Sequence, residues 1–151
     1  MHGSMGRNLV MGFIAAAIAV VTVHQAIVYG LTAAGWIKGT PWSFTATIAP
    51  FAVPYIANTI FWGGLWGALY GVTHHLLPGG AAWLKGLIFG LLISVCSNWL
   101  AIPFIKGTLL GQKGQVFFAG FDPQRMLATV LIVGGFGIAT ALVYRMIGER
   151  D

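Results

Sequence analysis

Few side chains in this sequence could carry out acid–base, nucleophilic or metal chemistry. The 151 residues include four histidines, one cysteine and three acidic residues. The acids, Asp122, Glu149 and Asp151, lie at or beyond the ends of apolar segments, and Cys96 has no obvious base beside it. General acid–base catalysis needs paired titratable groups, and nucleophilic catalysis needs a base next to the nucleophile. Because neither arrangement is found, the sequence predicts a protein that is not an enzyme.

The histidines do not form a recognisable cofactor site either. His24 lies inside the first apolar segment, whereas His74 and His75 lie at the opposite membrane face. Haem ligation by paired histidines needs two imidazoles at one level, so the sequence argues against haem. His74 and His75 alone supply too few metal ligands, His2 is the only conceivable addition, and a solvated hairpin is their expected setting. No metal or other cofactor is predicted, although a bound lipid is compatible with the sequence.

Four long apolar segments must position these side chains. They cover approximately residues 8–31, 50–73, 82–105 and 123–147. Each has about 20 or more residues, the length that an α-helix needs to cross the roughly 30 Å hydrocarbon layer of a bilayer. With 58% hydrophobic and 7% charged residues, the chain is too apolar for a soluble protein of its size. We therefore predict an all-α fold, an integral membrane bundle of four transmembrane helices that forms a single domain over residues 1–151.

The helix starts differ in clarity. Asp122 can cap free backbone amides and Pro123 suits the first helical position, so the fourth helix should begin there. Between the first two segments, a threonine–proline pair resembles another helix start. Residues 41–49 therefore fit either a short interfacial helix, with Trp36 and Trp42 as head-group anchors, or an ordered loop.

Polar residues from all four segments fall at one membrane depth. His24, Asn58 and Asn98 lie seven or eight residues from the segment ends on the side of the two longer loops. At 1.5 Å per residue this places them about 10 Å below that face, because successive helices alternate in direction. The full layer consists of His24, Gln25, Asn58, Ser97, Asn98 and Thr129.

This polar layer has two interpretations. Polar groups in hydrocarbon are costly unless they meet each other, so the layer should face the inside of the bundle. Its members could form hydrogen bonds between helices and hold the bundle together. Alternatively, they could line a small pocket that opens towards the longer loops and receives a lipid head group, a quinone or another amphiphile.

Small residues provide the contact surfaces between helices. Close packing must drive helix association in lipid, because burial of apolar surface does not. In the second segment, glycines spaced by four residues form one smooth stripe, and the third and fourth segments carry similar positions. These surfaces serve either packing within the chain or an oligomer interface. They comprise Gly63, Gly67, Gly71, Gly86, Gly90 and Gly134.

The charges give a weak orientation signal. The net charge is +5, but the cations occur singly at segment ends rather than in a patch, so no nucleic-acid binding is predicted. Lysine and arginine are evenly divided between the two faces. Arg7 directly precedes the first segment, which favours both termini in the cytoplasm. That segment is longer than the core of a typical signal peptide and is expected to be retained.

Two patterns resemble those of a known family. The third segment contains Lys85-Gly86, Gly90 and the run Asn98-Trp99-Leu100-Ala101-Ile102-Pro103-Phe104. The second places Asn58 ahead of Gly63-Gly64-Leu65-Trp66-Gly67. Together they resemble YagU-like small four-helix proteins of bacterial inner membranes, and the resemblance covers about half of the chain. The resemblance implies a four-helix membrane fold. Because these relatives have no settled activity, it implies no function and no functional residues.

Two functional hypotheses follow. The leading one is a non-enzymatic accessory or structural subunit of a larger membrane assembly, since packing surfaces are abundant and no catalytic set is found. The alternative is a homo-oligomeric transporter or permeation pathway for small molecules or lipids, built around the polar layer. A proton-coupled version is disfavoured because no carboxylate lies within a span, and a quinone-linked enzyme would depend on His24 alone. The expected partners are membrane lipids and other membrane-protein subunits or copies of this chain, in a bacterial inner membrane.

Overall fold

Helices make up most of the fold. The computed structural model describes residues 4–48 and 51–148. Within them, helix α1 spans Met5–Ala33, α2 Tyr55–Thr73, α3 Ala82–Leu109 and α4 Pro123–Ile147.

Three of these helices can cross a membrane. With 29, 28 and 25 residues respectively, α1, α3 and α4 are long and apolar enough to do so. The 19-residue α2 is not among them, because Asn58 and several glycines dilute its aliphatic side chains. The chain is therefore a mainly helical integral membrane protein, which confirms the predicted fold class at this level.

The helix boundaries depart from the predicted segments at four ends, two of them in α1, which spans Met5–Ala33 instead of 8–31. The predicted second span began at residue 50, but α2 begins at Tyr55 because Ala52 has a left-handed backbone (φ 51°) and Pro54 is extended (ψ 136°). The predicted third span ended at residue 105, whereas α3 continues to Leu109. At the start of α4, Asp122 Oδ1 accepts hydrogen bonds from the N–H groups of residues 124 and 125 at 2.9 and 3.1 Å, so the predicted cap is confirmed.

Wide turns interrupt two of the helices. α1 is π-helical over Val20–His24, and α3 is π-helical over Ser94–Ala101 and Phe104–Leu109. Pro103 lies between the two π segments of α3 and cannot donate a backbone hydrogen bond, so the wider turns let the helix pass through it. Such π-helical turns are rare and occur frequently at functional sites.

The helices pack as two antiparallel pairs. α1 lies against α2, α3 lies against α4, and contacts between α1 and α4 join the pairs. At the end of the bundle nearest the α2–α3 hairpin, α2 and α3 meet through aromatic rings. There the ring centroids of Tyr70 and Phe89 are 5.2 Å apart, and those of Trp66 and Phe89 are 6.3 Å apart.

Glycines form the α1–α2 contact. A Cβ atom on Gly12 would collide with the carbonyl oxygen of Gly67, and one on Gly71 with the carbonyl oxygen of Asn8. On Gly63 it would lie 2.6 Å from Cγ2 of Val20. The stripe is therefore buried against α1, which leaves Gly67 and Gly71 no room to contact a second copy of the chain.

The α3–α4 contact uses glycines in the same way. A Cβ on Gly86 would collide with the carbonyl oxygen of Gly137, and one on Gly90 would lie 2.5 Å from the carbonyl oxygen of Val133. A Cβ on Gly134 would make only an ordinary contact, 3.4 Å from the Leu87 side chain. Gly134 is thus less constrained than the other glycines at this contact.

The described residues of the loop between α1 and α2 form no interfacial helix. Residues 41–48 form turns and the short strand β1 (Thr47–Ile48), which pairs antiparallel with β2 (Val53–Pro54); residue 49 lies outside the described residues. Trp42 has a φ of 53°, and its backbone N–H donates to Oε1 of Gln25 at 2.9 Å. These tertiary constraints, together with a local turn in which Ser43 Oγ accepts from a backbone N–H, compete with helix formation.

Candidate functional site

A cavity separates α2 from α3 on the side of the longer loops. Its volume is about 740 Å³, within the roughly 300–1,000 Å³ that small-molecule sites usually have. Val20 of α1 and Phe136 of α4 form part of its inner wall. α2 and α3 meet at the hairpin end and separate towards the longer loops. The cavity therefore widens from the hairpin end to the opposite end.

Four residues of the predicted polar layer line this cavity. His24 comes from α1, Asn58 from α2, and Ser97 and Asn98 from α3. The hydroxyl-bearing Thr59 joins them. Two of the contributing stretches are π-helical: His24 ends the wide turn of α1, and Ser97 and Asn98 lie within that of α3. Residues far apart in sequence are thus brought together in the wall of one cavity.

Most of these polar side chains lack protein partners. In residues 4–48 and 51–148, the side chains of Asn58, Ser97 and Asn98 form no hydrogen bond to another described residue. The hydrogen bonds between helices that a purely structural role would require are therefore not formed by these three residues. A half-buried amide in an apolar setting is costly without a partner, so this part of the cavity suits a ligand with polar atoms.

Gln25 and Thr129 have structural roles instead. Gln25 is fully buried, holds the backbone of Trp42 through Oε1, and has Nε2 3.3 Å from Nδ1 of His24. The indole Nε1 of Trp42 also donates to the carbonyl oxygen of Val21 at 2.7 Å, which fastens the loop to the π-helical turn. Thr129 Oγ1 donates to a carbonyl oxygen of its own helix at 3.0 Å and does not line the cavity.

Polarity changes along the length of the cavity. Lys106 and Tyr55 lie at the end nearest the longer loops, together with apolar side chains of the loop region. Beyond the polar layer, the wall consists of Leu65, Trp66 and Leu69 on the α2 side. A cavity with a charged end, a polar middle and an apolar far end matches the chemical layout of an amphiphile.

A second cluster lies at the hairpin end and was not predicted. The His74 ring packs against Tyr70 and Tyr144, with centroid distances of 5.7 and 5.0 Å. Its Nδ1 lies 3.1 Å from the carbonyl oxygen of Gly71, which can only accept, so Nδ1 donates. His75 is exposed, as expected for a solvated hairpin, but His74 is half-buried. The i, i+4 spacing of Tyr70 and His74 was the available sequence signal.

The described residues hold no group of three His, Cys, Asp or Glu side chains that could bind a metal ion.

No protein-family model, curated protein or solved structure matches this chain. The resemblance to YagU-like proteins therefore stays a prediction, and the function has to be inferred from the cavity.

Proposed function

We propose that this protein binds an amphiphilic molecule, taken from the lipid phase, in the cavity between α2 and α3. The observation that carries the proposal is a set of three side chains in the cavity wall, Asn58, Ser97 and Asn98, that have no hydrogen-bond partner among the described residues. In hydrocarbon the alternative to a partner is an unsatisfied polar group, so a bound ligand with polar atoms would stabilise this layer.

We also propose that α2 crosses the membrane as a fourth span. Its 19 residues would extend about 28 Å at 1.5 Å per residue, close to the thickness of the hydrocarbon layer. It packs antiparallel along α1, and Phe61, which does not line the cavity, is 52% exposed on its outer surface. An exposed phenylalanine at this position suits contact with lipid.

The proposed location is a bacterial inner membrane with both chain termini in the cytoplasm. Arg7 supports this orientation, since it lies in the first turns of α1, and its guanidinium donates to the carbonyl oxygen of Gly148 at the end of α4. Labelling of single cysteines placed in the hairpin and in the α3–α4 loop, from outside intact cells, tests it. In the proposed orientation only the α3–α4 loop is labelled.

A pair of matched substitutions tests amphiphile binding. Ala101 is exposed and lines the cavity, whereas Ala26 is exposed on α1 and does not line it. Ala101→Trp should place an indole ring in the cavity and obstruct ligand binding, while Ala26→Trp adds the same side chain to a surface outside it. Native mass spectrometry after extraction in mild detergent counts the lipids that stay bound to each variant.

We expect the wild-type protein and Ala26→Trp to retain one amphiphile and Ala101→Trp to lose it. Equal retention by all three would contradict the proposal. Retention of another protein instead of a lipid, lost in Ala101→Trp, would favour the accessory-subunit hypothesis. A homo-oligomer in the same spectra would favour the transporter hypothesis.

A further inference from the structure

We infer that the amphiphile is anionic, with a carboxylate or phosphate head group that contacts Lys106 and a polar linkage that reaches Asn58 and Asn98. This inference rests on the proposed function and adds the charge of the ligand and its direction in the cavity. The head group would lie towards the longer loops, and the hydrocarbon chain would extend towards the hairpin end.

The charge of the cavity supports an anion. Lys106 is the one charged side chain among the residues that line it, and no carboxylate lines it within residues 4–48 and 51–148. Within residues 4–48 and 51–148 the one acidic residue is Asp122. Its carboxylate lies 3.8 Å from the guanidinium of Arg125. No described acidic group therefore pairs with Lys106, so its ammonium group is available to an anionic ligand in the cavity.

The spacing along α3 supports the direction. Lys106 follows Asn98 by eight residues, which is at most about 12 Å at the α-helical rise of 1.5 Å per residue, because the π-helical turns of α3 rise less. Ile102 and Ile105 line the cavity between them, so this side of α3 faces the same space throughout. The cation is thus about two turns nearer the membrane face than the amide.

The apolar part lies on the other side of the amides. On α2, Leu69 follows Asn58 by eleven residues, or about 16 Å by the same rise per residue. Leu65, Trp66 and Ile93 line this stretch and contribute no charge. An anionic glycerolipid has the same order of parts: a charged head group, a polar ester region and a hydrocarbon chain. A fatty acid has the charged head group and the chain.

Lys106 differs from the other lysines near this face. Lysines at helix ends commonly extend towards lipid head groups, and that role needs no cavity. Lys106, Lys38 and Lys113 are all exposed, but of the three only Lys106 lines the cavity. Lys113 is therefore a suitable control, because it lies on the same connection as Lys106 but outside the proposed site.

Brominated amphiphiles provide the test. Bromine quenches tryptophan fluorescence at short range, and Trp62 and Trp66 line the cavity. The protein is placed in nanodiscs of zwitterionic lipid and titrated with dibromostearate or with dibromostearyl alcohol, at a pH where the carboxylate is ionised. The two probes share one chain and differ in the charge of the head group. The same comparison with brominated phosphatidic acid and brominated diacylglycerol tests a phosphate head group.

We expect Lys106→Gln to weaken binding of the anionic probe by roughly fivefold, since one lysine near an anionic group contributes about 1 kcal/mol. Binding of the neutral probe should not change, and Lys113→Gln should behave as the wild type. An effect in only one pair of probes would identify the head group as carboxylate or phosphate. If both pairs of probes bind but Lys106→Gln changes the affinity for none of them, the inference is wrong and the proposed function stands. If no probe quenches saturably in the wild type, the proposed function itself fails.

Discussion

The phenol of Tyr144, near the end of α4, donates a buried hydrogen bond of 3.1 Å to the carbonyl oxygen of Gly71 in α2. The same carbonyl accepts from Nδ1 of His74. Gly71 can lie this deep because it has no side chain: a Cβ there would be 3.3 Å from Cα of Gly12 and closer still to the Asn8 carbonyl. One glycine thus joins α2 to α1 by close approach and to α4 by a hydrogen bond.

Tyr144→Phe removes this hydrogen bond and preserves the ring packing. We expect the free energy of unfolding to fall by about 1 kcal/mol, the usual net value of such a bond. Thermal unfolding in mild detergent measures the change. Tyr29→Phe is the control, since Tyr29 is 60% exposed and its hydroxyl has no hydrogen-bond partner in the described residues. Equal losses in the two variants would show that the hydrogen bond does not stabilise the fold.

Gly67→Ala should force α1 and α2 apart. The added Cβ would collide with the carbonyl oxygen of Gly12 and with Cβ of Ala16, and neither can move without shifting a helix. We expect a loss of about 1–3 kcal/mol of stability, as in other overpacked interiors. Gly30→Ala is the matched control, because nothing lies within 4 Å of the position that a Cβ would take there.

The Gly30→Ala control replaces a helical glycine without a clash. It should leave the free energy of unfolding unchanged or raise it by about 0.5–1 kcal/mol. Thermal unfolding and gel filtration of both variants separate a packing defect from a change in oligomeric state. A stable Gly67→Ala protein would mean that the close α1–α2 contact is not required.

Gln25→Leu should release the loop between α1 and α2. The substitution leaves the backbone N–H of Trp42 without its acceptor, which costs about 1–3 kcal/mol if the group stays buried. We therefore expect faster amide hydrogen exchange over residues 41–48, measured by mass spectrometry. Gln112→Leu, at an exposed position of the other long connection, should leave this exchange unchanged. Unchanged exchange in Gln25→Leu would show that Gln25 does not hold the loop.

Asn98→Leu should stabilise the ligand-free protein and weaken ligand binding. The amide has no protein partner among the described residues, so its replacement removes an unsatisfied polar group and should add about 1 kcal/mol of stability. Loss of its hydrogen bond to the ligand should weaken amphiphile binding by roughly fivefold. Thermal unfolding and the brominated-probe titration measure the two effects separately.

Thr129→Val is the control for this experiment. Thr129 was predicted at the same membrane depth, but its hydroxyl bonds within α4 and it does not line the cavity. Its substitution should leave probe binding unchanged. A lower stability of Asn98→Leu, with normal probe binding, would instead support a role in holding the helices together.

Much of the helical arrangement could be predicted because apolar length and the scarcity of charge dominate in a membrane. The start of α4 at Pro123 followed from the Asp122 cap, whose signal is local in sequence. The start of α2 at Tyr55 could not be predicted in this way. It depends on the pairing of β2 with β1 and on the hydrogen bond from Tyr55 N–H to the Ala46 carbonyl oxygen, and these partners lie outside the segment.

The polar layer, too, could be predicted only in part from the sequence. Depth along a helix can be counted, so His24, Asn58 and Asn98 could be assigned to one level. Which way each side chain faces depends on helix rotation, and the π-helical turns change that rotation by inserting a residue into the turn. Thr129 and Asn98 looked equivalent by depth, yet only Asn98 lines the cavity.

By itself, the sequence determined that the chain enters a membrane as long helices, because apolar length and the scarcity of charge allow no other stable solution. It also determined the level at which polar groups occur. Only the tertiary structure decided that α2 and α3 meet at one end and separate at the other. That separation depends on which glycine surfaces pair: α2 is held by Gly67 against α1, and α3 by Gly86 against α4. The space between them arises from these two contacts, and no local sequence signal encodes their relative position.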